Sequence, residues 1–316
     1  MTRDEQARAD IVEVGRRLYA RGYVASNDGN ISVRLDDGRL MATPKGVSKG
    51  FMTPDMMVVT DRSGRKLAGD REASSELLMH LAVYDARPDV GAVVHAHPPL
   101  ATGFAVAGIP LDRAVLAEVI TTLGSIPIAD YGTPSTAELP AAVQKYIKAH
   151  DGLLLANHGA LAAGSDLFSA YFKMETIEHF ARISLVARLL GRERVLSRDE
   201  VLRLQALRGN YGIASPAPIC IDDAGTAAVS GEATCQAVQA PAAAGVRLVD
   251  APPAGVLAGP GALPPPGSGE PIDARRAGAV GLPSPHVDPS GDVEFRLTYR
   301  QLASLVEEAV RSLRWP

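Results

Sequence analysis

Apolar residues Ile11, Val14 and Leu18 recur at helical spacing within residues 4–21, which predicts an amphipathic helix near the start of the chain. "NISVRLDDGRLMATP" then alternates apolar and polar positions about Asp36-Asp37-Gly38, the pattern of a hairpin, and "MMVVTDRSGRKLAG" repeats it. A helix over 74–86, a strand over 90–95 and a helix beginning near Pro98 or Pro99 follow. "IPIADYG" and "GLLLANHGALAAG" read as two further strands, the second with its own hairpin. Residues 166–190 form a long helix with Asp166 as N-cap, and another helix begins after Ser197. Helical and strand patterns alternate in this way from residue 1 to about 213.

Beyond residue 213 the periodicity stops. Of the 23 prolines, 13 fall between residues 214 and 290, among Gly, Ala and Ser. A stretch of that composition buries too little apolar surface to offset its ordering entropy, so 214–290 is expected to be a disordered linker. A short Val/Leu island, "GVRLVD", is the one segment in it fit to dock. Pattern returns over 291–316, where Thr298 and Gln301 form a capping-box pair. Leu302, Leu305, Val306, Ala309, Val310 and Leu313 there make one apolar stripe. A lone short helix is marginal in water, so its stripe must cover something.

Composition narrows the class. Hydrophobic residues make up 46% of 316, enough for a real core in one large domain or two smaller ones. The net charge of -4 is spread without a basic run, which argues against a nucleic-acid or polybasic membrane binder. The N-terminal stretch has no apolar signal region and nowhere do eighteen apolar residues run together, so a cytoplasmic protein is expected. Cys220 and Cys235 fit neither a disulfide framework nor a zinc ribbon and read as ordinary thiols.

Chemistry concentrates at strand ends. His95 and His97 sit two apart at the end of the 90–95 strand, so both imidazoles face one side if the strand runs through them. That pair can chelate a metal, or be merely solvated or hydrogen-bonded. His158, after the strand in "LLLANHGAL", is either a turn residue or a third ligand, and three neutral imidazoles with an open position are a catalytic zinc set. Ser74 and Ser75 are placed to cap the 74–86 helix, whose exposed N–H groups favour an anion such as phosphate. Glu76 in its first turn is explained by the helix dipole alone; near a metal it becomes a ligand or a proton carrier. His80, one turn on, reads as structural. "SNDGNISVR" and "ATPKGVSKG" are turn-rich loops whose Asn27, Asn30, Lys45, Lys49, Gly29 and Gly46 suit a phosphate cradle, although neither is a P-loop. The motifs of Rossmann folds and zincins are missing.

In order, "DGNISVR", "TPKG", "SSE", "HAH" and "NHG" resemble the class II aldolase/adducin family over residues 5–213. The resemblance implies a three-layer α/β/α domain with a mainly antiparallel central sheet, usually in a homotetramer with active sites between subunits. By position it implies Zn2+ on His95, His97 and His158, with Glu76 as acid/base and as a metal ligand when substrate is absent. Phosphate falls to Asn30, Lys45, Gly46, Ser74 and Ser75. The reaction implied is cleavage of a ketose 1-phosphate of the fuculose or rhamnulose type to dihydroxyacetone phosphate and an aldehyde such as lactaldehyde. Deoxyribulose or methylthioribulose phosphate aldolases, a sugar-phosphate 4-epimerase and a zinc decarboxylase share the scaffold. The family's second proton donor has only Glu118 and Tyr131 as candidates between the HAH and NHG motifs. Adducin-like scaffold proteins lack the zinc ligands, whereas this chain has all three. The linker and terminal helix resemble an encapsulation peptide, which would dock residues 298–313 on a bacterial microcompartment shell protein; packing on the protein's own tetramer is the alternative.

Overall fold

The computed structural model describes residues 2–211 and two short strands, His286–Val287 and Val293–Glu294. Residues 2–211 belong to one compact unit; the two strands pair antiparallel within a second. Beyond that small ladder, the stretches expected to be linker and terminal helix lie outside the described residues, as do Cys220 and Cys235.

The first helix, α1 (Arg3–Ala20), starts at a capping box in which Thr2 accepts from the Glu5 amide and Glu5 reaches back. The two hairpins follow as β1 (Asn30–Arg34) with β2 (Leu40–Ala42), and β3 (Val58–Thr60) with β4 (Lys66–Ala68). Next come α2 (Leu77–Ala86), β5 (Ala92–Ala96) and α3 (Pro99–Val106). Then α4 (Ala117–Thr122), β6 (Ile128–Ala129), α5 (Glu138–Ile147), β7 (Gly152–Leu155) and β8 (Gly159–Gly164) lead to α6 (Leu167–Leu189) and α7 (Arg198–Ala206). The Asp166 side chain caps α6 by accepting from the Ser169 amide at 2.9 Å, and Ser197 caps α7.

One eight-stranded sheet runs in the order β4-β3-β2-β1-β5-β8-β7-β6. Every neighbouring pair is antiparallel except β6 with β7. Period-two alternation sorts its side chains. Ala92, Val94 and Ala96 of β5 point into a core built with α1, α3 and α6, whereas Val93 points into one built with α2 and α5. Three α/β/α layers result, as expected. Among the described residues, no helix is long and apolar enough to cross a membrane.

Three elements differ from the sequence reading, one of them the short helix α4, which was not anticipated. The 74–86 helix begins only at Leu77, with Glu76 at the cap position and no side-chain cap. The reason is extended pairing upstream: Ala73 bridges Pro44 and the Ser74 amide bonds the Thr43 carbonyl at 3.1 Å, which holds the serines out of the helix. Helix α5 was not anticipated, although Leu139, Ala142, Val143 and Ile147 fall at helical spacing and are buried. Pro140 in its first turn hides the pattern, and there a proline costs no hydrogen bond.

Candidate metal and active site

Because Val93 faces the α2 side of the sheet, so does His95 two residues on, and it is fully buried there. Its Nδ1 lies 2.9 Å from the carbonyl oxygen of Ala160 on β8, so Nδ1 carries the proton and Nε2 is left as a lone pair. His97, just beyond β5, donates its amide to the Tyr23 carbonyl at 2.9 Å, and its Nδ1 is 3.4 Å from a carboxylate oxygen of Asp28. His158 occupies the turn between β7 and β8, after Asn157 in a left-handed conformation (φ 54°). One ring nitrogen from each histidine lies within 4.8 Å of the others.

The donor set fits a tetrahedral cation. Nε2 of His95 and Nε2 of His97 are 3.2 Å apart, and two lone pairs at that distance repel unless a proton or a cation sits between them. Nitrogens bound tetrahedrally at about 2.1 Å from one ion would stand roughly 3.4 Å from each other. Two glycines make the convergence possible. A Cβ on Gly159 would come within 2.6 Å of both the Ala96 carbonyl and the His97 ring, and one on Gly29 within 2.8 Å of the His95 carbonyl.

Glu76 closes the fourth side from the start of α2. Its Oε2 is 3.4 Å from His95 Nε2 and accepts from the Asn30 amide at 2.7 Å, while Oε1 is 3.2 Å from His158 Nε2. Asn30 is in register with His95 across the β1–β5 ladder, which is why it reaches the same carboxylate. Burial pushes His95 down to about 3, so it is neutral at pH 7, the form a metal requires. Burial opposes ionisation of Glu76, but the hydrogen bonds from His158 and the Asn30 amide hold the carboxyl below its usual range.

The loops expected to cradle phosphate meet beside this cluster. The Pro44–Ala73 bridge and the bond from the Lys45 amide to the Glu72 carbonyl (2.9 Å) bring "TPKG" against "SSE". Lys45, Gly46 and Ser75 are exposed there and Ser74 is half-buried. Asn30, by contrast, is buried and spends its amide on Glu76. Glu118, on α4, is exposed, and Tyr131 is 60% exposed; the side chain of neither bonds the histidine cluster. His80 is buried with Nδ1 2.7 Å from Ser32 Oγ, in line with a structural role.

Two residues escaped the sequence reading, and a third was placed differently by it. Asp28 stands in a quoted loop, yet only folding reveals its contact with His97. Lys49, read as offering positive charge to a phosphate cradle, is buried. Glu178 on α6 accepts from the Leu100 and Ala101 amides at 3.1 and 2.8 Å, satisfying the start of α3 immediately after the HAH segment. No local pattern links Glu178 to residues so far upstream.

The domain family described as Class II Aldolase and Adducin N-terminal domain matches residues 9–185. The chain belongs to the class II aldolase/adducin family. It is 30% identical over 210 residues to a 3-oxo-tetronate 4-phosphate decarboxylase of Pectobacterium atrosepticum, covering 65% of this chain and 94% of the relative. It is likewise 30% identical over 210 residues to a 5-deoxy-D-ribulose 1-phosphate aldolase of Bacillus thuringiensis, covering 66% and 98%. The crystal structure of an L-fuculose-1-phosphate aldolase from Thermus thermophilus superposes with a TM-score of 0.53 at 33% identity, covering 60% of this chain and 97% of that one. This class II aldolase-family protein is therefore a metal-dependent lyase.

Gly159→Ala tests the packing that brings the histidines together. The variant is expected to fold but to bind a divalent cation about ten-fold or more weakly, measured by competition with a chromogenic chelator, because the new methyl displaces His97. Metal affinity equal to that of the unsubstituted protein would show that the close approach is not needed.

Proposed function

We propose that this protein is a zinc-dependent aldolase that cleaves a ketose 1-phosphate of the fuculose or rhamnulose type to dihydroxyacetone phosphate and an aldehyde such as lactaldehyde. The observation that carries the reading is the convergence of His95, His97 and His158 beside an anionic Glu76. Zinc on the three histidines would supply Lewis acidity against the negative charge that develops on the C2 and C3 oxygens.

The chain's own residues do the rest. Breaking the C3–C4 bond leaves its electron pair on C3 as an enediolate, while the C4 hydroxyl gives up its proton and becomes the aldehyde carbonyl. The Glu76 carboxyl, oriented by Asn30, carries the proton to C3. Lys45, Gly46, Ser74 and Ser75 hold the phosphate at a distance from the breaking bond, with Asn30 at the inner end, and so supply binding energy remote from it. Glu118 and Tyr131 are exposed on a single chain and would act at the aldehyde side across a subunit contact in a homotetramer. The exposed Leu189 at the end of α6 and Leu190 just after it support such assembly.

Relatives named 3-oxo-tetronate 4-phosphate decarboxylase favour a second reading, loss of carbon dioxide from a phosphorylated 3-oxo acid. It needs the same stabilised enediolate and the same proton delivery by Glu76.

Incubation with fuculose, rhamnulose, 5-deoxyribulose and methylthioribulose 1-phosphates should release dihydroxyacetone phosphate, lost on chelation and restored by zinc. Glu76→Gln should lower kcat by about 10²–10⁴-fold. Carbon dioxide from a 3-oxo-tetronate 4-phosphate, without triose phosphate from any ketose, would transfer the assignment to the decarboxylases.

The terminal segment, residues 298–313, is proposed as an encapsulation helix for a bacterial microcompartment shell, supported by its apolar stripe and the Pro/Gly/Ala-rich stretch before it. Deleting residues 214–316 should leave lyase activity intact and abolish co-purification with shells. Loss of folding in that truncation would contradict the idea.

A further inference from the structure

Lys49 is the one buried lysine with no carboxylate partner among the described residues. It opens the short turn Lys49–Phe51, is 2% exposed, and its ammonium donates to two backbone carbonyls, Asn27 at 3.0 Å and Val47 at 2.6 Å. Among the described residues no acidic side chain reaches ion-pair distance of its ammonium. A buried charge held only by neutral carbonyls is expensive, and an apolar side chain of similar length would serve stability better. Burial pushes the amine down to about 8, against the opposing pull of Asp28 and Glu76.

The two carbonyls belong to the two loops that frame the site. Asn27 immediately precedes Asp28, Gly29 and Asn30, the segment that contacts His97, permits the approach to His95 and orients Glu76. Val47 immediately follows Lys45 and Gly46, the loop assigned to phosphate. Helix α1 backs the clamp: a Cβ on Gly15 would come 2.7 Å from the Lys49 carbonyl, so the turn cannot withdraw in that direction.

We propose that Lys49 is a positioning residue whose ammonium fixes the spacing between the Asn27–Asn30 loop and the Lys45–Val47 loop, and thereby registers the phosphate end of the substrate against the histidine cluster. The proposal rests on the assignment of those loops in the preceding subsection.

The test uses the full chain carrying Lys49→Met, Lys49→Arg and Lys49→Gln. Three quantities are read: zinc affinity, the dissociation constant of inorganic phosphate, and KM against kcat for the ketose phosphate that the unsubstituted protein cleaves. Lys49→Met should keep zinc affinity within about three-fold while weakening phosphate and raising KM about ten-fold, the size expected for losing charged hydrogen bonds. Lys49→Arg, which keeps the charge and the donors, should recover most of that loss; Lys49→Gln gives the same readout if Lys49→Met fails to fold. Unchanged phosphate affinity and KM in both neutral variants would overturn the proposal, as would equal losses in Lys49→Arg and Lys49→Met. If no ketose phosphate is cleaved but phosphate binding still falls in the neutral variants, the aldolase reading fails and the positioning role stands.

Discussion

Strand β5 runs antiparallel between β1 and β8, and the register of those two ladders is the constraint from which the site follows. Asn30 is paired with His95, and Ala96 with Ala160. A slip of one residue on either side would turn His95 from the α2 face of the sheet toward the core under α1 and α6, because strand side chains alternate with period two. The correct register brings the Ala160 carbonyl to His95 Nδ1 and the Asn30 amide to Glu76, so two sheet neighbours set the tautomer of one ligand and the orientation of the carboxylate.

Helices then lock what the sheet has aligned. Glu76 enters the cluster because extended pairing of Ala73 and Ser74 with Pro44 and Thr43 delays the start of α2 until Leu77. Glu178 reaches from α6 to the first amides of α3 and anchors the chain just past His97. Behind the sheet, buried Asp151 pairs with Arg87 at 2.9 Å and Lys173 at 2.7 Å, tying the start of β7 to α6 and to the end of α2. Removing one partner of such a network strands buried charge, typically at a cost of about 3 kcal/mol or more. These contacts lie away from the chemistry and hold rigid the scaffold that the histidines share.

Much of this was legible before folding. Ile11, Val14 and Leu18 mark α1, the Asp-Gly turn marks the first hairpin, and Asp166 and Ser197 mark the starts of α6 and α7, since each is a local pattern with a local cause. The metal-site histidines were legible for the same reason: apolar runs that stop at His95 and His158 announce strand ends. Contacts made only by tertiary structure stayed hidden. Nothing near Glu178 announces its role at α3, and Lys49, read as a phosphate-cradle charge, is buried with its ammonium on the Asn27 and Val47 carbonyls. That the β1–β5 ladder turns the Asn30 amide onto Glu76 was not legible from its loop either. The delayed start of α2 was likewise invisible, because strand pairing with a distant loop overrode two good capping residues.

The most direct test of the central claim is titration of the chelator-stripped full chain with cobalt(II), following the visible ligand-field bands, with stoichiometry checked by elemental analysis of the zinc-loaded protein. The account predicts one metal per chain, an intense low-coordinate cobalt spectrum of the kind three imidazoles and one oxygen give, and loss of both on His95→Ala. A chain that takes up no cation, or whose cobalt spectrum is unaltered by His95→Ala, would contradict it.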